Sequence, residues 1–285
     1  GSHMEYYKSV SMQIHEIFHE YTDMIEPLAL DEAFLDVTEN KKNIPLAVDV
    51  AREIKKEIKE KLGLVASAGI SYNKFLAKIA SDYKKPDGLY TIHPNRAPAF
   101  ISKLPIEAFW GIGKVTARKM HSLGIHTGAD LKKCTQTFLT RNFGKAGTLY
   151  HDFANGIDPR MVTPERTRKS VGCESTFEND LTNYIAVIIE LYHVTTELIF
   201  RLEKSDFKGH TLTLKIKFHD FTQKTRSITM AHELRTKQDI LPLAKKLLKD
   251  LELTQFRIRL LGLSVSNPFE ELITDGPLQL RINFD

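Results

Sequence analysis

Ile25-Glu26-Pro27-Leu28-Ala29-Leu30-Asp31-Glu32-Ala33-Phe34-Leu35-Asp36-Val37 holds two short apolar runs, Ile25 to Leu30 and Ala33 to Val37, separated only by Asp31 and Glu32. That spacing predicts a tight hairpin with two adjacent carboxylates at its tip. Upstream, Tyr6, Val10, Ile14, Ile17, Phe18 and Tyr21 recur at helical spacing. Downstream, Ala47 to Leu62 predicts an amphipathic helix with Lys and Glu outward, Val65 to Ile70 a buried strand, and Phe75 to Ser81 a short helix. The turn Lys85-Pro86-Asp87-Gly88 closes the segment. Helix, hairpin, helix, strand and helix in this order predict an α+β layer over residues 5–90.

Residues 91–165 contain no alternating stretch, but several short helical patterns broken at Gly111, Gly113, Gly124, Gly144 and Gly156. A small all-α domain is the expectation. The polar, proline-containing stretch Pro164-Glu165-Arg166-Thr167-Arg168-Lys169 reads as a linker into a domain over residues 166–270. Strands at Ser170 to Phe177, Thr211 to Phe218, Arg226 to Glu233 and Phe256 to Val265, with helices at Tyr184 to Leu202 and Ile240 to Leu251, make a split β-α-β-β-α-β sheet. Leu212, Leu214, Ile216 and Phe218 alternate with Thr211, Thr213, Lys215 and Lys217, so one face is core and the other hydroxyl and ammonium. Residues 271–285 form a tail. The predicted whole is an α+β multidomain chain.

Composition narrows the function classes. The 285 residues are 42% hydrophobic and 27% charged, which suits a globular protein with more than one core and excludes a disordered chain. No apolar run approaches the ~18 residues of a spanning helix, so no membrane role is expected. The formal charge of +4 hides an asymmetry: residues 1–40 carry one base against nine acids, and residues 41–165 carry 21 bases against 11 acids. Such a pattern fits a metal site beside a polyanion track or, more blandly, solvated faces. Cys134 and Cys173 are the only cysteines, which argues against a disulfide framework or a thiolate zinc cage and for a reducing compartment. Gly1-Ser2-His3-Met4 reads as a cloning scar.

Asp31 and Glu32 lie in the acidic block. Adjacent hard oxygen donors at a hairpin tip suit Mg²⁺ carrying a phosphate substrate, although acidic turn residues also satisfy local backbone donors. A competing metal motif is His15-Glu16-Ile17-Phe18-His19, which fits H-E-x-x-H and would make a zinc hydrolase. The apolar stripe of that helix centres on Ile14, Ile17 and Tyr21, putting His15 and His19 on the far side, as expected of a solvated pair.

Leu28-Ala29-Leu30-Asp31-Glu32-Ala33-Phe34-Leu35-Asp36-Val37, then Ala68-Gly69-Ile70-Ser71-Tyr72-Asn73-Lys74-Phe75-Leu76-Ala77-Lys78-Ile79-Ala80-Ser81-Asp82 and Lys85-Pro86-Asp87-Gly88-Leu89, closely resemble the palm of bacterial Y-family translesion DNA polymerases. Trp110-Gly111-Ile112-Gly113 is similar to the thumb hairpin of that family, and Arg168-Lys169-Ser170-Val171-Gly172 to the entry into its little finger. The resemblance implies template-directed DNA synthesis in damage bypass. Asp31 and Glu32 match the acidic pair that holds two Mg²⁺ ions for phosphoryl transfer, and Lys85 the lysine on the triphosphate of the incoming deoxynucleotide. Gly111-Ile112-Gly113-Lys114, between helical patterns at Leu104 to Phe109 and Val115 to Leu123, reads as a helix-hairpin-helix whose backbone amides approach a phosphate of primer-template DNA. Lys169, Lys215, Lys217, Arg257 and Arg259, expected on strands with Ser170 and other hydroxyl residues, would lie along phosphates without reading bases.

Gln279-Leu280-Arg281-Ile282-Asn283-Phe284 resembles the peptide that docks bacterial polymerases on the sliding clamp, with Gln279 on the groove rim and Leu280, Ile282 and Phe284 inside it; a terminal edge strand would show the same alternation. The family pattern begins earlier, with a palm strand carrying another metal-binding aspartate, an aromatic gate and a fingers domain, and Glu5 falls after these. The resemblance therefore implies partial palm (5–90), thumb (91–165), little finger (166–270) and clamp-binding tail (271–285) of a monomeric, cytoplasmic bacterial enzyme. Such a piece is expected to keep DNA and clamp binding without extending primers. A non-catalytic DNA-binding module recruited to the clamp is the alternative.

Overall fold

Side-chain caps set where many of the helices begin: Asn73, Thr127, Thr135, Asn183 and Thr236 each accept a backbone N–H from the first turn that follows. The computed structural model describes residues 3–165, 167–251 and 257–268, and the chain divides into two units, Gly1–Arg166 and Thr167–Asp285.

The first unit opens with α1 (Met4–His19), the antiparallel strands β1 (Ile25–Pro27) and β2 (Ala33–Leu35), and α2 (Ala47–Leu62). Next come β3 (Ala68–Ile70), α3 (Lys74–Asp82) and β4 (Leu89–Thr91), with β4 parallel to β3. The predicted strand from Val65 is shorter than expected, because Leu64 and Val65 face solvent and pairing begins at Ala68. The two-residue turn predicted at Asp31-Glu32 is also corrected. Pro27 pairs with Ala33, and the Leu28 amide donates to the Glu32 carbonyl at 2.8 Å, so the tip is Ala29, Leu30 and Asp31 while Glu32 already belongs to the returning arm.

Ile17, Tyr21, Val50, Ile54 and Ile58 close one core between α1 and α2. Tyr21 is fully buried, and its hydroxyl donates to Glu57 at 2.5 Å and to Glu53 at 3.3 Å. Hydrogen bonds from Lys61 and then Tyr21 hold the Glu57 carboxyl down at about 2, whereas burial first, then the bond to Glu57, pushes the Tyr21 hydroxyl up to about 12.

The unit continues as α4 (Ala97–Lys103), α5 (Lys114–Ser122), α6 (Gly128–Lys133), α7 (Gln136–Phe143) and α8 (Lys145–Ala154). One core joins these helices to α3, running across the expected boundary at 90/91: Phe75 stacks on Phe153 at 3.9 Å between ring centres and tilts against Phe109 at 5.5 Å. The helical pattern expected at Leu104 to Phe109 is corrected to a single 3₁₀ turn, Ile106–Ala108, because Pro105 precedes it and the Ile106 amide is drawn to the His126 carbonyl.

The second unit is β5 (Ser170–Leu181), α9 (Tyr184–Ser205), β6 (Gly209–Phe218), β7 (Gln223–Thr229), α10 (Lys237–Lys249) and β8 (Ile258–Pro268). This is the split β-α-β-β-α-β order predicted from the sequence, folded as an antiparallel sheet of order β5-β8-β6-β7. β7 starts three residues before the predicted Arg226, because Asp220 accepts the Thr222 amide and hydroxyl in a tight turn that pairs Lys217 with Gln223. Leu212, Leu214, Ile216, Leu261, Leu263 and Val265 bury one sheet face against α9 and α10. Each such side chain contributes roughly 1.5–3 kcal/mol of transfer free energy. Among the described residues of this unit, no helix packs on the other face.

Candidate active site and nucleic-acid interface

The hairpin tip, α3 and the turn after it bring five charged side chains of the first unit together. Glu32 accepts from Lys78 Nζ at 3.1 Å, Lys78 also reaches Asp82 at 3.4 Å, and Asp82 holds Lys85 Nζ at 2.6 Å. The hydrogen bond to Asp82 raises the affinity of Lys85 for its proton most, and the fields of Asp82, Glu32 and Asp31 add to it. Burial alone would raise the Asp82 carboxyl, but Lys85 and Lys78 outweigh it and leave the group below the usual carboxylate range. Asp31, Glu32 and Lys85, expected in one active site, therefore share one electrostatic neighbourhood.

Sequence reasoning missed Lys78 and Asp82. Their i,i+4 spacing on a helix was the available signal.

Several contacts fix this arrangement. Asn73 caps α3 by accepting the Leu76 amide, and the α3 face of Phe75, Leu76, Ile79 and Ala80 is buried. From α2, Lys55 donates to the Asp87 and Gly88 carbonyls at 2.6 and 3.0 Å and pairs with the Asp87 carboxylate at 2.8 Å, pinning the turn that carries Lys85. Lys74 bridges Glu26 of β1 at 2.5 Å and the Met161 carbonyl at 3.0 Å. Asp158, with a fully buried side chain, accepts from the Phe75 amide at 2.9 Å and from both Nε and a terminal nitrogen of Arg160 at 2.7 and 2.8 Å.

Asp31 at the exposed tip and half-buried Glu32 at the start of the returning arm are adjacent carboxylates, the kind of oxygen donor that Mg²⁺ takes. Among the described residues no group of three or more His, Cys, Asp or Glu side chains comes close enough to hold a metal ion. At the competing motif on α1, His19 pairs with Asp23 at 3.0 Å and the His15 ring sits edge-on to Phe18. Both cysteines are free. Burial pushes the Cys173 thiol up to about 11, and the Cys134 thiol is raised for the same first reason.

At the turn before α5, Gly111 takes a left-handed φ of 88°, Ile112 is buried as an anchor, and Gly111, Gly113 and Lys114 face solvent. A Cβ built on either glycine meets nothing within 4 Å, so the Cα of each faces open space. Trp110 ties this turn back to the hairpin: its ring meets Phe34 of β2 edge-on at 5.4 Å and carries the Arg160 guanidinium at 4.5 Å.

In the second unit the strand register sets Ser170, Ser266, Thr211 and Thr229 in one row across the open face, and Gly172, Ser264, Thr213 and Ser227 in the next. Glu174, Gly262, Lys215 and Thr225 follow, with Lys215 bound to Glu174 at 2.7 Å. Lys217 lies one row further on. Two of the expected strand cations lie just outside their strands: Lys169 precedes β5 and Arg257 precedes β8. Arg259 is on β8 as expected, at the register shift beside Lys217 and Phe218, with its guanidinium over the exposed Phe221 ring. A bulge breaks the simple alternation there. Gln279, Leu280, Ile282 and Phe284 lie outside the described residues.

Residues 1–82 match the impB/mucB/samB family, residues 94–125 the helix-hairpin-helix motif of the IMS family, and residues 168–282 the impB/mucB/samB C-terminal domain. DNA polymerase IV of Bacteroides fragilis is 66% identical over 268 residues, spanning 94% of this chain and 74% of that protein. The chain belongs to the DNA polymerase IV family. DNA polymerase IV of Akkermansia muciniphila is 59% identical over 268 residues, covering 94% of this chain and 75% of the relative. A solved Y-family DNA polymerase chimera superimposes with a TM-score of 0.83 at 27% identity, over 93% of this chain and 77% of the chimera. The family is one of DNA-directed DNA polymerases of the translesion type, and its reaction is metal-dependent nucleotidyl transfer. No helix among the described residues is long and apolar enough to cross a membrane.

Proposed function

We propose that Asp31 and Glu32 are the carboxylates of the nucleotidyl-transfer site, that Lys85 grips the triphosphate of an incoming deoxynucleotide, and that primer-template DNA is the polymer extended. The observation that carries this reading is the ring of alternating charge, in which Asp82 holds Lys85 within the fields of both members of the acidic pair. Bound there, two Mg²⁺ ions would align the primer hydroxyl and neutralise the phosphates. The protein's own part is positional. Lys78 orients the Glu32 carboxylate, and Lys85 supplies a point cation that follows a phosphate without bidentate geometry. Gly111 and Gly113 offer backbone amides to a DNA phosphate with Lys114 beside them, while the hydroxyl rows of the second unit, with Lys169, Ser170, Lys215, Lys217, Arg257 and Arg259, track the duplex backbone.

On this reading residues 5–90 are palm, 91–165 thumb, 166–270 little finger and 271–285 a clamp-binding tail, in an enzyme of the bacterial cytoplasm. A two-ion site needs more oxygen ligands than one acidic pair. The 285-residue chain is accordingly expected to bind primer-template DNA in a mobility-shift assay yet incorporate no nucleotide with Mg²⁺. Clear incorporation would overturn the incomplete ligand set, and absence of DNA binding would remove the nucleic-acid reading. In the same system, Gln279→Ala with Phe284→Ala is expected to abolish capture by the sliding clamp at unchanged DNA affinity; loss of both together would mark the tail as structural.

A further inference from the structure

Helix α9 is apolar on two sides. Val187, Leu191, Val194, Leu198 and Leu202 face the core, as an amphipathic helix requires. Its solvent side should then be polar, yet Ile185, Ile189 and Phe200 are 72%, 50% and 57% exposed, with half-buried Tyr192 among them. At about 1.5 Å per residue this stripe runs roughly 22 Å, or four turns. Thr196 interrupts it between Tyr192 and Phe200, yet exposed apolar surface of this length is unusual on a solvated face and marks interaction sites.

The two borders of the stripe differ in charge. Toward α10, Lys237 and Lys245 lie over the Tyr192 ring at 4.7 and 4.9 Å, and neither makes an ion pair among the described residues. On the other border Glu190 shares a hydrogen bond with His193 at 3.3 Å and Glu197 pairs with Arg201 at 2.6 Å, so both carboxylates have partners within the helix. One edge is cationic and unmatched; the other is acidic and already paired.

We propose that this side of α9 docks an amphipathic protein helix of about four turns, whose apolar stripe is bordered by Asp or Glu on the edge that meets Lys237 and Lys245. The unmatched cations lie along one border only, which fits a helix with a single acidic edge better than a uniformly negative bilayer, whose charge would meet Glu190 and Glu197 with no cation to spare. It also disfavours nucleic acid, which offers nothing to Ile185, Ile189 or Phe200. Because α9 covers the core face of the sheet, the stripe and the hydroxyl rows lie on opposite sides of the second unit.

The test uses the full chain and two synthetic helical peptides of about four turns, with leucines at i and i+4 spacing and one edge of either glutamates or lysines. Anisotropy is expected to show binding of the glutamate-edged peptide only, weakened at least about tenfold by Ile189→Asp at unchanged DNA affinity. Lys237→Glu with Lys245→Glu is expected to switch the preference to the lysine-edged peptide. Failure of the glutamate-edged peptide to bind, equal binding of both, or indifference to Ile189→Asp would overturn the proposal. So would binding to phosphatidylserine vesicles, which assigns the stripe to a bilayer, or self-association lost in Ile189→Asp, which assigns it to a second copy.

Discussion

Asp158→Ala is expected to lower the stability of the first unit by about 3 kcal/mol while leaving the second unit unchanged. Removing one partner of a buried ion pair costs about 3–5 kcal/mol, and the lower end applies here because the Arg160 side chain is 39% exposed and can recover water. Two groups lose their partner together: the Phe75 amide at the start of α3, and a guanidinium that lies over the faces of Trp110 and Phe153. Trp110 is the only tryptophan and belongs to the first unit, so its fluorescence during urea unfolding reads that unit alone. Burial by itself would raise the Asp158 carboxyl, but the bonds from Arg160 and the Phe75 amide outweigh burial and hold it below the usual range. The native proton affinity is therefore lower than the unfolded one, and the stabilisation is present above the ordinary aspartate value and lost as pH falls through the native one. Asp158→Asn should keep an acceptor for Phe75 yet lose this acid dependence. A loss below about 1 kcal/mol for Asp158→Ala, or a native acid slope in Asp158→Asn, would mean that the clasp does not hold α3.

Asp158 shows where the sequence stops being readable. The sheet of the second unit was legible because Leu212, Leu214 and Ile216 alternate with Thr213, Lys215 and Lys217, a pattern carried by neighbouring residues. The acidic pair was legible for a similar reason, being two adjacent residues between two apolar runs. By contrast, the bond from Asp158 to Phe75 spans 83 positions and that from Lys78 to Glu32 spans 46, and no local pattern announces such pairs. The hairpin tip was misjudged because a two-residue turn and a three-residue tip leave the same hydrophobic runs; only the hydrogen bond from the Leu28 amide to the Glu32 carbonyl distinguishes them. Arg259 lies on β8 as its sequence context suggests, but the bulge that places it at a break in register leaves no mark in the composition. What stayed hidden is the set of long-range contacts that orient the visible acids.

Gly69→Ala is expected to be about as damaging, by another route that reaches the site directly. A Cβ at position 69 would stand 2.1 Å from the Ala77 carbonyl oxygen and 2.2 Å from the Ser81 amide nitrogen, so the obstruction is the α3 backbone rather than a side chain that can swing away. β3 and α3 must separate, at a cost near the top of the 1–3 kcal/mol range for overpacking, about 3 kcal/mol. The two clashing residues adjoin Lys78 and Asp82, so the same displacement pulls apart the contacts of 3.1 Å to Glu32 and 2.6 Å to Lys85. Gly111→Ala is the contrasting variant: its left-handed φ penalises a side chain by about 1 kcal/mol, but nothing stands within 4 Å to be displaced. Gly69→Ala should shift the urea midpoint of Trp110 fluorescence strongly and return the Lys85 ammonium, followed by NMR, toward its ordinary titration. Gly111→Ala should shift that midpoint little and leave Lys85 alone, while weakening DNA binding at the turn. A Gly69→Ala protein within about 1 kcal/mol of the parent, or one in which Lys85 still titrates high, would show that the seat of α3 on β3 does not hold the charged ring together.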